Sequence, residues 1–426
     1  SRRQRQMCIR DRNCYEYGVN TFGAVLAGAV LVTMNQKKTW DELSWELELA
    51  EPALILNDGV DYGCRDQLEA AYGERLRPMD AWKDTAPGGL EKKIDPNALM
   101  VMLFTSGTTG RSKGVMLSQK NLFSAMPAFL DPFDDVKKYT GWNTDEFSSL
   151  SALPMFHISA MTSLVSWSIT GHSINLCNNL KYFYRDLGAM HSEVMAVVPV
   201  LLKSIYSDVM KGRRDRLNGL CVLTCGAAMF DPKILSDMME KGFFVAQMYG
   251  LTETCGDGAW NSSQEAKYLT SVGHVDLSCE YKLDDGELCM RGNPIMLGYY
   301  KDPEGTAEVI DADGWFHTGD IARVEEDGYM YLTGRKKNVI ILDSGENVSP
   351  EELEKLLVPC ADIQECIVKE KDKKICALIY CDPAKQDAVK EFVTGVNRGL
   401  PLYKRMVTEF SAQPLPRNAM GKLLRQ

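Results

Sequence analysis

The segment "TSGTTGRSKG", Thr105 to Gly114, directly follows the apolar run "ALMVMLF". This run is short, rich in apolar residues and followed at once by a segment of glycines and hydroxyls, so we predict that it is a buried strand. Glycines let a backbone approach phosphate, hydroxyls donate to its oxygens, and Lys113 adds a positive charge. A glycine follows Lys113, so the segment is not the GxxxxGK[ST] loop of nucleotide triphosphatases. We predict a phosphate site of another kind. A flexible surface loop is the alternative for this segment alone.

The flanking sequence predicts a sheet of parallel strands. Ser118 is a predicted helix N-cap, which gives a strand–loop–helix order in which backbone N–H groups can face an anion. The apolar runs "AVVPV" and "LCVLTC" alternate with helical segments, as in βαβ units. The longest apolar run, Thr21 to Met34, is predicted to be a core helix that leads into a short buried strand, and it is too short to span a bilayer.

The pattern of apolar runs and turns changes past Ser271. Runs such as "GELCMRG" and "GYMYLTG" lie between Gly and Asp turns and predict an antiparallel, barrel-like section. The last ninety or so residues mix helix and strand. We therefore predict an α/β protein with a large N-terminal domain (13–335) of doubly wound sheets plus a distorted β-barrel. A small α+β C-terminal domain (337–426) would follow on a hinge.

Residues 1–12, "SRRQRQMCIRDR", contain five arginines and one acid and have no helical apolar period. We expect this segment to be non-native or disordered, with a transit peptide as the alternative.

Composition narrows the class of protein. The 426 residues carry a net charge of −10, which argues against a nucleic-acid partner. The thirteen cysteines are odd in number, and no CxxC pair or HExxH motif indicates a metal site. Cys221 and Cys225 flank a strand-like run and are predicted to be buried thiols. A reducing cytoplasm fits this composition best.

Four further motifs are weak evidence when taken singly. In "YGLTET", Thr252 and Glu253 could place a hydroxyl on phosphate and a carboxylate on Mg²⁺. "GWFHTGD" ends in Asp320, "GRKKN" contains Arg335, and "PLPRNAMGKLLRQ" contains Lys422. Thr–Glu pairs, aspartate turns and surface cations are common, so each motif also has a purely structural explanation.

Together, and in this order, the motifs resemble those of the adenylate-forming superfamily, which includes acyl-CoA synthetases, nonribosomal adenylation domains and luciferases. The resemblance runs from about Asn13 to Arg425. It rests on "TSGTTGRSKG", "LPMFH", "CGAA", "YGLTET", "GELCMRG", "GYY", "GWFHTGD", "GRKKNVI" and "PRNAMGK". It implies that a carboxylate attacks the α-phosphate of ATP to give acyl-AMP and pyrophosphate, and that a thiol then displaces AMP.

The resemblance also implies roles for individual residues. The β- and γ-phosphates would be held by Thr105, Ser106, Gly107, Thr108, Thr109, Gly110 and Lys113. The α-phosphate would contact Thr252, and Mg²⁺ would bind Glu253. The adenine would be bordered by Gly226, Ala227, Ala228 and Tyr249, and the ribose would be bound by Asp320 and Arg335. Lys422 would be the catalytic lysine, Lys337 the hinge, and Gly345 would lie near the coenzyme A thiol.

His157, in "LPMFH", bears on the substrate. Members that activate α-amino acids place an aspartate there to pair with the substrate ammonium, so a histidine disfavours an amino acid. By resemblance, His157 would gate the acyl pocket, and "MTSLVSW" would line an acyl or aryl tunnel. A histidine satisfied within the core, and ordinary core packing, are the alternatives.

We therefore expect an AMP-forming acyl-CoA synthetase that acts on a fatty acid with ATP, Mg²⁺ and coenzyme A. Two alternatives stay open: an acyl-AMP ligase that loads a carrier-protein phosphopantetheine, and a non-catalytic fragment that binds nucleotide or acyl ligand. The sequence also leaves open a peripheral membrane contact.

Overall fold

The computed structural model describes residues 6–84, 95–106, 111–130, 135–138, 146–226, 230–276, 278–342, 347–417 and 423–425, with only the backbone at 106, 127–130 and 347. The chain divides into two compact units. Unit 1 comprises Ser1–Lys282, Cys289–His317 and Glu325–Met330. Unit 2 comprises Leu283–Leu288, Thr318–Val324 and Tyr331–Gln426.

Unit 1 contains two seven-stranded sheets, of which the first is sheet A. Its strands are β1 (Gln6–Arg10), β2 (Val30–Thr33), β3 (Leu54–Asn57), β4 (Leu76–Pro78), β5 (Leu99–Ser106), β6 (Ser112–Ser118) and β16 (Gly298–Tyr299). They lie in the order β16-β6-β5-β2-β1-β3-β4. The strands from β5 to β4 pair in parallel, and β6 and β16 are antiparallel.

Strand β1 falls within the segment that we expected to be non-native or disordered. It pairs in parallel with β2 on one side and β3 on the other, and Cys8 and Ile9 are fully buried. The prediction of disorder is therefore wrong for Gln6–Arg10. The foreign origin of residues 1–12 stays a prediction.

Four helices accompany sheet A: α1 (Tyr15–Leu26), α2 (Trp40–Ala50), α3 (Arg65–Tyr72) and α4 (Gln119–Leu130). Thr39 and Glu42 form a capping box that starts α2. Leu43 and Leu47, one turn apart on α2, pack with the buried strand residue Ile55 in a shared core. The predicted helix and buried strand within Thr21–Met34 are confirmed as α1 and β2.

Sheet B is the second sheet of unit 1. Its strands are β7 (Ser148–Ser151), β8 (Ser173–Leu176), β9 (Val194–Val197), β10 (Val222–Cys225), β11 (Phe244–Gly250), β12 (Gly258–Asn261) and β13 (His274–Val275). Their order is β13-β12-β11-β10-β9-β7-β8, with β12 and β13 antiparallel and the others parallel. The helices of this region are α5 (Ile158–Ile169), α6 (Phe183–Ala189), α7 (Pro199–Met210) and α8 (Pro232–Glu240), and α9 (Pro303–Ala307) follows β16.

Helices cover both faces of sheet B. Successive strand residues point to opposite faces. Met195 and Leu223 join one core with residues of α6, α7 and α8, whereas Val194 and Val222 join another core with Trp167 of α5. The predicted doubly wound architecture is confirmed.

The predicted strands past Ser271 are also confirmed. β14 (Cys279–Asp284), β15 (Glu287–Gly292), β17 (Phe316–Val324) and β18 (Met330–Arg335) form a four-stranded sheet in that order. Asp285 and Gly286, both with positive φ, join β14 to β15. This two-residue Asp–Gly connection is typical of a type I′ hairpin.

The remaining elements of unit 2 form a small α+β fold, as predicted. They are β19 (Ile340–Ile341), β20 (Asn347–Val348), α10 (Pro350–Leu357), β21 (Ile363–Lys371), β22 (Lys374–Cys381), α11 (Gln386–Arg398) and β23 (Val407–Phe410). β21 and β22 are antiparallel, β22 and β23 are parallel, and β19 pairs with β20. Leu353 of α10 and Val389 of α11 pack on Val368 and Ile379 of the sheet.

All thirteen cysteines are free thiols. Cys225 is buried, as predicted, and Cys221 is only partly buried. Each helix in the described part of the chain is too short or too polar to cross a lipid bilayer.

Candidate active site

The predicted phosphate loop joins β5 to β6 in an antiparallel hairpin. Thr105 lies opposite Lys113, and Ser106 lies opposite Ser112. The predicted strand–loop–helix order is wrong, because the seven-residue strand β6 separates the loop from α4 by roughly 23 Å. Ser118 is nevertheless the N-cap, since its hydroxyl accepts from the backbone N–H of Asn121 at 3.1 Å. The N-terminus of α4 is therefore not the predicted anion site.

Lys113 has two partners in unit 1. Its Nζ lies 3.2 Å from Asp302 Oδ2 and 4.7 Å from the centre of the Tyr299 ring. The backbone N–H of Gly305 and the Lys113 ammonium lower the pKa of Asp302. A Cβ at Gly305 would overlap both Asp302 Oδ2 and Lys113 Nζ, so the absence of a side chain there makes room for the ion pair.

Thr252 and Glu253 lie in a 3₁₀ turn that follows β11. The backbone N–H of Gly256 donates to the Leu251 carbonyl at 2.7 Å, and the Leu251 N–H donates to Thr254 Oγ1 at 3.0 Å. A Cβ at Gly250 would collide with the backbone of Gly256, so this closed turn requires glycine at 250. The turn holds Thr252 and Glu253 on a short, well-bonded loop.

Tyr299 connects Glu253 with Lys113. Its hydroxyl donates to Glu253 Oε1 at 3.0 Å, while its ring lies beside the Lys113 ammonium. Burial, and then the Glu253 charge, raise the pKa of Tyr299, so its phenol stays protonated and keeps its role as donor. The backbone N–H of Met296 also donates to the Glu253 carbonyl at 2.8 Å. One tyrosine thus holds both the predicted phosphate lysine and the predicted metal ligand.

The predicted adenine residues lie at the carboxyl ends of neighbouring parallel strands. Tyr249 is near the end of β11 and is 9% exposed, and Gly226 directly follows β10. Ligands of open α/β sheets bind beyond such strand ends. A Cβ at Gly226 would contact Met248 at 3.7 Å, so Gly226 packs closely beside β11.

His157 is the N-cap residue of α5, although its side chain does not cap the helix. Burial lowers the pKa of its imidazole, which favours the neutral form at neutral pH. Within the predicted tunnel segment "MTSLVSW", Ser163 and Trp167 line a cavity between α5 and sheet B. The neighbouring Met161 is fully buried. The segment therefore combines cavity wall and core.

Unit 2 contains the predicted ribose pair. Arg335 Nε lies 2.7 Å from Asp320 Oδ1, and Arg335 Nη1 donates to the Thr318 carbonyl at 3.0 Å. The side chain of Asp320 is buried, and that of Arg335 is one-third exposed. The two residues are therefore already bonded to each other. Lys337, the predicted hinge, is exposed and follows Arg335 in a 3₁₀ turn.

Three functional candidates were missed by the sequence analysis: Tyr299, Asp302 and Glu287. Tyr299 belongs to the quoted "GYY" motif, but it had no assigned role. Glu287 begins "GELCMRG", where its buried carboxylate accepts from the Gly319 N–H at 2.9 Å and pairs with Lys336 at 2.7 Å. An acid at the start of the apolar strand-like run "ELCM" is the signal that could have identified it.

Some predicted site residues lie outside the described residues: Gly107, Thr108, Thr109, Gly110, Ala227, Ala228, Gly345 and Lys422. Only the backbone of Ser106 is described. Their roles stay predictions.

Comparison with known proteins identifies a family. Residues 2–300 match the family model described as AMP-binding enzyme. A 2-succinylbenzoate–CoA ligase of Bacillus licheniformis is 28% identical over 97% of this chain and 87% of its own. The 4-coumarate–CoA ligase 2 of Oryza sativa subsp. japonica is 29% identical, over 97% and 81% of the two chains. The peroxisomal OPC-8:0-CoA ligase 1 of Arabidopsis thaliana is 25% identical, over 94% and 79%.

Solved structures share the fold. The o-succinylbenzoate coenzyme A synthetase of Bacillus subtilis, in complex with ATP and magnesium ion, has a TM-score of 0.81 at 24% identity and matches 99% of this chain and 88% of its own. A fatty acyl CoA synthetase of Mycobacterium tuberculosis has a TM-score of 0.74 at 22% identity, over 99% and 86%. At these identities the likeness concerns the fold alone.

Proposed function

The chain belongs to the AMP-binding enzyme family, within the adenylate-forming superfamily, and on that premise we propose that it joins a carboxylic acid to coenzyme A through an acyl-AMP intermediate. ATP and Mg²⁺ would serve the first step, and coenzyme A the second. The family match and the coenzyme A ligases among the relatives support this chemistry. The acid differs among those relatives, so the fatty-acid preference stays a prediction.

Both steps balance without a further reactant. In the first, a carboxylate oxygen bonds to the α-phosphorus, and the bond from that phosphorus to the bridging oxygen breaks. Pyrophosphate leaves with the electron pair. In the second, the thiol sulfur bonds to the acyl carbon, the carbon–oxygen bond to phosphate breaks, and AMP leaves while the thiol proton passes to water.

The first step brings an anion towards an anion, so cations must offset the repulsion. Lys113 would approach the β- and γ-phosphates from β6, with Thr105 opposite it, and Thr252 would contact the α-phosphate. The donor set fits magnesium, because a carboxylate oxygen is a ligand that Mg²⁺ prefers. Glu253 would hold the ion, which neutralises phosphate charge when bound. Asp320 and Arg335 would bind the ribose.

The observation that carries this proposal is the bridge at Tyr299. Its ring lies beside Lys113 and its hydroxyl donates to Glu253. One side chain thereby holds together the proposed phosphate cation and the proposed metal ligand, which supports a site for a triphosphate with its metal. A surface loop and an unrelated turn would have no physical reason to share such a residue.

Acid-dependent ATP–pyrophosphate exchange, followed by coenzyme-A-dependent release of AMP, tests the proposal. We expect exchange without coenzyme A and AMP release only with it. Exchange combined with transfer only to a carrier-bound phosphopantetheine would replace coenzyme A by a carrier protein. Nucleotide binding without exchange across fatty, aryl and amino acids would overturn the enzymatic proposal in favour of a binding protein.

A further inference from the structure

A cavity of about 40 Å³ lies between helix α5 and sheet B, within unit 1. Its walls include Ser159, Ser163, Trp167, Thr224, Met248 and Trp260. Three of these residues are close neighbours of predicted site residues: Ser159 follows His157 by two positions, Thr224 precedes Gly226 by two, and Met248 precedes Tyr249. The cavity wall therefore includes residues that lie one or two positions along the chain from predicted site residues.

We propose that this cavity selects a short carboxylic acid with an uncharged tail that carries a hydrogen-bond acceptor, with Met248 limiting the length and the Trp260 N–H binding the acceptor. The inference rests on the proposed function, since it takes the cavity as the place of the substrate's tail.

Volume sets the length of the tail. A water-sized group needs about 10–15 Å³ measured in this way, so the cavity accommodates about three such groups. A short tail fits, whereas a long alkyl chain or an aromatic ring would have to displace a wall. Among fatty acids, the cavity therefore favours the short-chain ones.

The wall opposite α5 is made of paired bulky side chains. Met248 on β11 and Trp260 on β12 are direct cross-strand partners, so their side chains stand side by side on one face of sheet B. On the α5 side, Trp167 is 5% exposed and packs edge-on against Phe147, with ring centres 4.9 Å apart. The two tryptophans are rigid. The flexible Met248 is therefore the residue whose size adjusts the depth.

Polarity sets the chemistry of the tail. The Trp260 Nε1–H is buried and has no hydrogen-bond partner among the described residues. A buried donor without an acceptor is unfavourable, and a carbonyl or hydroxyl oxygen on the substrate would satisfy it. The described lining carries hydroxyls but no charged side chain. A second carboxylate or an ammonium on the tail would stay unpaired and is disfavoured.

The test is ATP–pyrophosphate exchange with straight-chain acids from propanoate to dodecanoate. It also uses a matched pair, 4-oxopentanoate and 4-methylpentanoate, in which a carbonyl oxygen replaces a methyl group. We expect kcat/KM to fall at least about tenfold from pentanoate to octanoate, and the oxo acid to exceed its methyl counterpart about tenfold. A preference for octanoate or dodecanoate would overturn the inference and leave the proposed function standing. Equal rates for the matched pair would do the same. If none of these acids supported exchange, both the inference and the proposed function would be overturned.

Three variants identify the residues. Met248→Ala should move the optimum to a longer acid. The matched control is Met195→Ala, because Met195 neighbours the cavity residue Ala196 on β9 but faces the opposite core. It should lower thermal stability and leave the chain-length profile unchanged.

Trp260→Phe keeps a ring and removes the N–H, so the ratio between the oxo and methyl acids should fall to about one. An unchanged ratio would show that Trp260 does not bind the acceptor.

Discussion

The two regions that carry predicted nucleotide residues hold their charges differently. In unit 2, Asp320 and Arg335 are bonded directly at 2.7 Å. In unit 1, Lys113 pairs with Asp302 at 3.2 Å and Glu253 accepts from Tyr299, which also contacts Lys113. The first arrangement is a closed ion pair. In the second arrangement, the neutral phenol of Tyr299 lies between the Lys113 ammonium and the Glu253 carboxylate.

The difference agrees with the roles proposed for each region. In the proposed role, a carboxylate that binds ribose hydroxyls must be ionised and fixed, and the directly bonded Arg335 guanidinium favours both. A metal ligand and a phosphate donor must instead release their partners when the ligands arrive. A hydrogen bond from a phenol and an ion pair with the partly exposed Asp302 cost less to give up than the pair that holds the buried carboxylate of Asp320. We infer that direct pairing serves fixed orientation and that the tyrosine bridge serves exchange of partners.

The largest effect is expected at the metal ligand. Glu253→Gln keeps the shape and still accepts from Tyr299, but it removes the charge that would hold Mg²⁺ in the proposed role. ATP–pyrophosphate exchange should fall about 10²- to 10³-fold, with little change in Tm. The matched control is Glu265→Gln on the exposed surface, which should leave exchange unchanged. A decrease in exchange of less than about threefold would show that Glu253 does not bind the metal. Removal of an electrostatic group from an active site lowers the rate far more than that.

The closed ion pair comes next. Asp320→Asn leaves the Arg335 guanidinium without its counter-charge, and solvent compensates in part because Arg335 is one-third exposed. We expect exchange to fall about tenfold to a hundredfold, and Tm to fall by about 4 °C. Glu280→Gln breaks the exposed pair with Arg291, at 2.6 Å, and should change Tm by no more than about 2 °C. Equal effects of the two variants would contradict a special role for the pair between the buried Asp320 and Arg335.

Much of the fold follows from the local pattern of the sequence. Apolar runs bounded by helical segments predicted β5 and β10, and glycine-bounded runs predicted β15 and β18, because burial on two faces and tight turns leave local signals. The run "AVVPV" includes only the last two residues of β9, and Pro199 already begins α7. The strand β6 was missed. Its residues alternate weakly, and only pairing with β5 makes "SKGVMLS" a strand. Pairing between segments is a property of the folded chain.

The site divides in the same way. Motifs located Lys113, Glu253, Asp320 and Arg335 by resemblance, since each lies in a recognisable local sequence. Local motifs could not predict the bridge at Tyr299, because it depends on a contact with Glu253, forty-six positions away. The cavity beside Met248 likewise depends on the approach of α5 to sheet B. Sequence motifs identify groups, and tertiary packing decides which groups hold one another.

Tyr299→Phe tests the bridge itself and should have a smaller effect. The ring stays beside Lys113, and only the hydrogen bond to Glu253 is lost. Because Glu253 gives up this hydrogen bond when the ion arrives, we expect the Mg²⁺ concentration for half-maximal exchange to fall about tenfold, which corresponds to one strong hydrogen bond to a charged group. The matched control is Tyr300→Phe, since the Tyr300 hydroxyl accepts from Gln6 and not from the site. Equal Mg²⁺ requirements in both variants would show that the bridge has no part in metal binding.

The smallest effect is expected at a third carboxylate, Asp257, which closes the loop that carries Glu253. Its partners are the Ser278 hydroxyl and the Gly258 backbone N–H, in contrast with the guanidinium that holds Asp320. Burial, and then the charge of Asp276, raise the pKa of Asp257 from 3.8 to about 7. Between about pH 4 and pH 7 the folded state therefore binds a proton that the unfolded state has lost, so this group lowers stability as pH rises through that window.

Asp257→Asn stays neutral, and its Tm should match the parent near pH 4 and exceed it by about 2 °C at pH 8. A Tm difference that is constant with pH would mean that Asp257 is already ionised at pH 4, and the contrast between carboxylates with and without a bonded cation would then fail at this site.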